Sequence, residues 1–107
     1  MTEIKVIQND KLYDLNFTLQ DSNGNAVDIT SSTIKFKVQK VGDTVLKINA
    51  SMSIVSGAAG TCKYQVQAAD FDSAGKYYAE VEVTFSSSQI TTFSGIVVIV
   101  DPELPKS

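Results

Sequence analysis

Apolar and polar residues alternate with a period of two over most of this chain. In LYDLNFTLQ, Leu15, Phe17 and Leu19 alternate with Asn16, Thr18 and Gln20, the spacing of a strand with one buried face. TIKFKVQK repeats the pattern, with Ile34, Phe36 and Val38 on one side and Lys35, Lys37 and Gln39 on the other. KYYAEVEVTF extends it furthest: Tyr77, Ala79, Val81, Val83 and Phe85 share one face, and Tyr78, Glu80, Glu82 and Thr84 the other. Turn signals separate these runs, among them DSNGN, VGD, SGAAG, DSAG and SSSQ. The pattern predicts strands near residues 3–8, 12–20, 27–30, 33–40, 44–49, 52–55, 61–67, 76–85 and 89–100. No segment has a helical period, and QAADFDSAG has room for one helical turn at most. The expected fold is an all-β, antiparallel sandwich of about seven to nine strands.

Length and charge narrow this picture. A chain of 107 residues holds one domain with one core, here expected over 1–101 and followed by a flexible tail, 102–107, that contains both prolines. Its 43% hydrophobic and 20% charged residues are those of a chain that folds. The net charge is -3 and all nine basic residues are scattered lysines, so no guanidinium fork or basic stripe is available for nucleic acid. The expectation is no nucleic-acid partner and no membrane partner. The longest apolar run, IVVIV at 96–100, is far short of the ~20 residues of a spanning helix. MTEIKVIQND lacks a basic region followed by an apolar one, which points to cytoplasmic synthesis; without a secretory route, the sequons at Asn16 and Asn49 carry no meaning.

Candidate chemistry is sparse. The chain has no histidine, the commonest general base and metal ligand. Cys62 is the single cysteine, which excludes an internal disulfide, and its alternation with Tyr64 and Val66 reads as a core thiol. Glu80 and Glu82 share a strand face, whereas a glycosidase needs two such acids across a cleft, and cross-strand pairing with Lys35 and Lys37 is the plainer account. In DSNGNAVD, Asp21, Asn23, Asn25 and Asp28 are spaced like ligands of a calcium loop. The glycine is misplaced, however, and Ser32 stands where a closing glutamate belongs, so a tight Asn-Gly hairpin turn fits better. The expectation is no enzyme, no metal and no cofactor.

Two resemblances organise the rest. DFDSAGKYYAEVEVTF is similar to the corner of an immunoglobulin-type sandwich, where a tyrosine two residues before a cysteine bonds back to upstream backbone. Gly75, Tyr77 and Ala79 stand at the glycine, tyrosine and cysteine positions, and Asp72 lies one residue early. Asp72, Gly75 and Tyr77 are therefore the expected structural corner of an immunoglobulin-like sandwich. Phe36 is positioned to fill the space of the missing tryptophan, and Phe17 or Leu19 that of the first cysteine. The order of motifs resembles the N-terminal domain of phage baseplate upper proteins, the BppU-like family. Asp21, Gly24, Val27, Asp28, Ile29 and Thr30 match its first element. Gly60, Tyr64 and Asp70 match the second; Gly75, Tyr77, Ala79, Glu80 and Glu82 match the third. The resemblance implies a non-catalytic structural module of a phage tail or baseplate, located in the virion, with other virion proteins and copies of itself (a homo-oligomer) as partners.

The last strand suggests where such a module docks. Ile96, Val98 and Val100 alternate with Val97 and Ile99, so one row fills the core and the other needs cover. That cover is either the chain itself, through its tail or its N-terminal EIKVI strand, or a partner. Ile96, Val97, Val98 and Ile99 are accordingly the expected interface. An adhesive or carbohydrate-binding module is the alternative reading. Its candidate aromatics are Tyr13, Tyr78, Phe71 and Phe93, which lie on separate segments.

Overall fold

The alternating segments become eight strands, with no helix among the described residues, 2–104, of the computed structural model. They are β1 (Thr2–Ile7), β2 (Asp14–Thr18), β3 (Thr33–Lys40), β4 (Ile48–Ser51), β5 (Ser53–Ser56), β6 (Thr61–Gln65), β7 (Gly75–Thr84) and β8 (Ile90–Asp101). A five-stranded sheet, ordered β1-β8-β7-β3-β4, faces a three-stranded sheet, ordered β2-β6-β5. Together they form an immunoglobulin-like β-sandwich. Of the tail expected over 102–107, Pro102 to Leu104 form no strand and 105–107 lie outside the described residues.

Strand parity builds the core. Tyr77, Ala79, Val81 and Val83 on β7, and Ile34, Phe36 and Val38 on β3, pack against Leu15, Phe17, Cys62 and Tyr64 of the smaller sheet. Phe36 is fully buried and spans the layers, its ring 5.5 Å from that of Phe17 and 5.0 Å from that of Tyr64. It thus bridges the two sheets at the centre of the core.

Four features depart from simple antiparallel alternation. β1 pairs with β8 in parallel, with Glu3 opposite Val97 and Lys5 opposite Ile99, because the chain leaves β1 for the other sheet instead of turning back beside it. The segment 27–30, expected as a strand, forms none. Val27 N–H donates to Leu19 O at 2.9 Å and Ile29 N–H to Gly57 O at 2.9 Å, so its hydrogen bonds go to two different partners instead of one ladder. Residues 44–47 form a connection, and the chain enters β4 only at Ile48. At buried Met52, whose N–H bonds Ile34 O at 2.8 Å, it then crosses from one sheet to the other.

The fourth departure is a bulge in β8. Ala79 pairs with Ile96 but Val81 pairs with Phe93, so β8 spends one residue more than β7 over this interval. Gly95 supplies the left-handed backbone, at φ 80°. The extra residue switches parity: Thr91 and Phe93 face inward before the bulge, and Ile96, Val98 and Val100 after it.

Candidate functional site

Of the residues that the sequence singles out, Lys35, Lys37, Glu80, Glu82, Tyr78, Val97 and Ile99 lie on the outer face of the five-stranded sheet. Lys35 stands opposite Glu82 and Lys37 opposite Glu80, and Lys37 Nζ reaches diagonally to Glu82 Oε2 at 2.9 Å. The two glutamates lie on an open sheet face within this charge lattice.

Of the four final-strand residues, Ile96 and Val98 face the core. Val97 lies on the outer side yet is only 4% exposed, and Ile99 is half-buried. Their neighbours in register explain the cover. Val97 sits between Glu3 and Tyr78, and Ile99 between Lys5 and Lys76, so long side chains lie along the apolar row. Lys76 Nζ stands 5.4 Å from the centre of the Tyr78 ring. Beside them, Leu46 and Tyr78, 51% exposed, border a shallow depression of about 180 Å³ with Lys37, Gln39 and Glu80.

The corner lies at the start of β7. Gly75 leads into buried Tyr77, whose hydroxyl donates to Ser73 O at 2.7 Å, and the ring meets Phe71 edge-on at 5.6 Å. Burial pushes the Tyr77 phenol above its ordinary pKa. Asp72 pairs with Lys47 at 3.0 Å, and that hydrogen-bonded ammonium holds its carboxyl below the usual carboxylate range. A second lock sits nearby: Tyr64 Oη donates to Asp70 Oδ2 at 2.5 Å, and the same oxygen accepts from Gln67 N–H at 2.8 Å. These bonds secure the connection between β6 and β7.

Cys62 is fully buried, and burial pushes its thiol up to about 11, so at neutral pH it is a packed thiol and not a nucleophile. Among the described residues no three His, Cys, Asp or Glu side chains cluster to hold a metal ion. The aromatics considered for sugar binding do not form one platform. Phe71 is buried, Tyr13 packs against the core, and Tyr78 and Phe93 lie on opposite faces of their sheet.

Sequence reasoning missed a groove of about 610 Å³ at the far end of the sandwich. One wall is the connection between β2 and β3, with Asp21, Val27, Asp28 and Thr30. The other is the β7–β8 hairpin, with Phe85, Gln89, Thr91 and Phe93. It exists because β7 and β8 run 10 and 12 residues while β2, β5 and β6 run 4 or 5, leaving the hairpin beyond the smaller sheet. A glycine within an apolar strand was the available signal, since Gly95 marks the bulge that turns Phe93 inward.

The profile of the BppU N-terminal domain matches residues 1–107, the whole chain. The chain belongs to this family. BppU N-terminal domains are phage-baseplate-related, which assigns the protein to that setting in general terms. No curated protein matches the chain. Among solved structures, CopC from Methylosinus trichosporium OB3b is similar with a TM-score of 0.60 and 14% identity, over 100% of this chain and 91% of that one. At that identity the likeness concerns the fold alone. Murine CRIg aligns over 97% of this chain and 94% of its own, with a TM-score of 0.45 and 11% identity. In this member of the family, the matching residues Asp21 and Asp28 border the groove, while Gly75 and Tyr77 build the corner.

Proposed function

We propose that the chain is a non-catalytic structural module of a bacteriophage tail or baseplate, resident in the virion and acting through contacts with other virion proteins and with copies of itself. The whole-chain match to the BppU N-terminal domain carries this reading. The chemistry is consistent with it: the one thiol is buried, and Glu82 of the strand carboxylates is engaged by a lysine.

The docking surface in this reading is the outer face of the five-stranded sheet, centred on the outer row of the final strand. Ile96 and Val98 support that row from within, Val97 lies under its flanking side chains, and Ile99, Tyr78 and Leu46 offer the contactable apolar area. Aromatic and aliphatic anchors rimmed by charge are the usual composition of such patches.

Light scattering after size exclusion, at several concentrations and with the other baseplate proteins of the same virion, tests the reading. Wild type is expected to form a defined complex. Ile99→Glu and Tyr78→Glu should weaken it at least tenfold while each monomer keeps its melting transition. A complex indifferent to both substitutions would remove this face from the assembly. Failure of every baseplate protein to bind would remove the function itself.

A further inference from the structure

The groove at the far end of the sandwich differs in chemistry from the rest of the surface. Its apolar part consists of the half-buried rings of Phe85 and Phe93 with Val27, and its polar part of Asp21, Asp28, Thr30, Gln89 and neighbouring serines. No lysine lines it, although the chain has nine. Its volume of about 610 Å³ falls within the roughly 300–1,000 Å³ of sites that hold a small ligand or an inserted side chain.

Both carboxylates are held in place. Asp21 Oδ1 accepts from the N–H groups of Asn23 and Asn25, at 2.9 and 3.0 Å, within a turn closed by Asp21 N–H to Asn25 O. Asp28 Oδ1 accepts from Thr30 N–H at 2.9 Å, and Ile29 between them is fully buried. Neither aspartate has an ion-pair partner among the described residues. The Thr30 hydrogen bonds hold the Asp28 carboxyl below its ordinary range, which keeps it charged. A cleft with an apolar side formed by Val27, Phe85 and Phe93, two fixed negative charges among its polar lining and no cation complements a long aliphatic stem that ends in positive charge.

We propose that this groove receives a lysine or arginine side chain from an extended segment of a partner protein. The stem lies against Phe85 and Phe93, and the cationic head meets the carboxylates of Asp21 and Asp28. The site is separate from the outer sheet face and does not depend on where that face docks.

Nuclear magnetic resonance titration of the isotope-labelled chain tests it. The probes are acetyl-Gly-Arg-Gly-amide and acetyl-Gly-Lys-Gly-amide, with acetyl-Gly-Gln-Gly-amide as the uncharged control. The cationic peptides should produce saturable shifts at the amides of Asn23, Asn25, Thr30 and Gln89, at concentrations on the order of 10 mM or below. Asp21→Asn with Asp28→Asn keeps an acceptor oxygen for each turn while removing both charges, and should weaken binding at least tenfold with the spectrum otherwise preserved. Equal shifts from the glutamine peptide, or undiminished binding by the double variant, would overturn the proposal. So would a groove that responds to calcium chloride or N-acetylglucosamine but not to the cationic peptides, since it would then serve a metal or a sugar.

Discussion

The two ends of β7 show how the same strand makes a closed structure at one end and an open one at the other. At its start, Tyr77 is fully buried, with Phe71 against its ring and its hydroxyl donating to Ser73 O. Beyond its end, Phe85 continues the same inward row and packs against the core's edge but stays only half-buried, and a groove remains between it and the connection between β2 and β3. Side-chain type does not distinguish the ends, because both present aromatic residues at inward positions. The difference is what covers them: Phe71 of the connection between β6 and β7 closes over Tyr77, whereas at the hairpin end the strands of the opposing sheet, half as long as β7, leave the aromatic rings facing an open groove. Inward direction therefore guarantees burial only where a second layer is present.

The sharpest way to break this comparison is to truncate one aromatic from each region. Phe36→Ala should cost about 3–5 kcal/mol, the usual effect of removing a fully buried ring, whereas Phe93→Ala, at the half-buried groove, should cost less than about half of that. Urea unfolding measures both, and equal losses would mean that the groove is as well packed as the centre. The next effect concerns Gly60, where a Cβ would come within 2.7 Å of the carbonyl oxygens of Leu19 and Val27 and the backbone sits at φ 71°. Gly60→Ala should therefore cost about 2–3 kcal/mol and loosen the groove wall that Val27 begins, which thermal unfolding and amide exchange at Val27 would register.

Tyr77→Phe tests the closed end more gently. It keeps the ring and removes the bond to Ser73, so a loss of about 1 kcal/mol is expected; no loss would show that the corner is held by packing alone. The smallest effect is in acid. Asp72, beside Lys47, and Asp28, bonded by Thr30, both have pKa values lowered in the folded chain. Their contribution is present above the unfolded carboxylate pKa of roughly 4 and is lost as pH falls through the lower folded values. The melting temperature should therefore decline below about pH 4, and less so in Asp72→Asn with Asp28→Asn than in wild type. An unchanged acid profile in that variant would show that neither carboxylate is coupled to folding.

Much of this contrast can be traced to particular residues in the sequence, and some of it cannot. Tyr77, Ala79, Val81 and Val83 announce their face by alternation, and Gly75 with Tyr77 sets the chain where the phenol meets the Ser73 carbonyl. The segment VDIT looks like a strand by composition, yet the Asp28 side chain bonds Thr30 N–H and Ile29 bonds the distant Gly57, so turn chemistry and a long-range partner prevail over propensity. In ITTFSGIVVIV, unbroken alternation would put Phe93 on the same face as Val97 and Ile99. The bulge at Gly95 reverses this and sends the ring into the groove. Apolar residues on both sides of β8 raised the question of what covers its outer row. Flanking Lys5, Lys76, Tyr78 and Glu3 answer much of it within the chain, and only neighbours in register could reveal that.

The sequence by itself determined the all-β class, the inward residues of β2, β3, β6 and β7, and the lack of histidine chemistry. These follow from composition and from a period of two, which each strand expresses locally. The tertiary structure decided the parallel pairing of β1 with β8, the shift of parity at Gly95, the burial of Val97, and the groove between Asp21, Asp28, Phe85 and Phe93. Each of these depends on which distant segment lies opposite and how far it reaches, and alternation along one strand carries no information about the length or register of another.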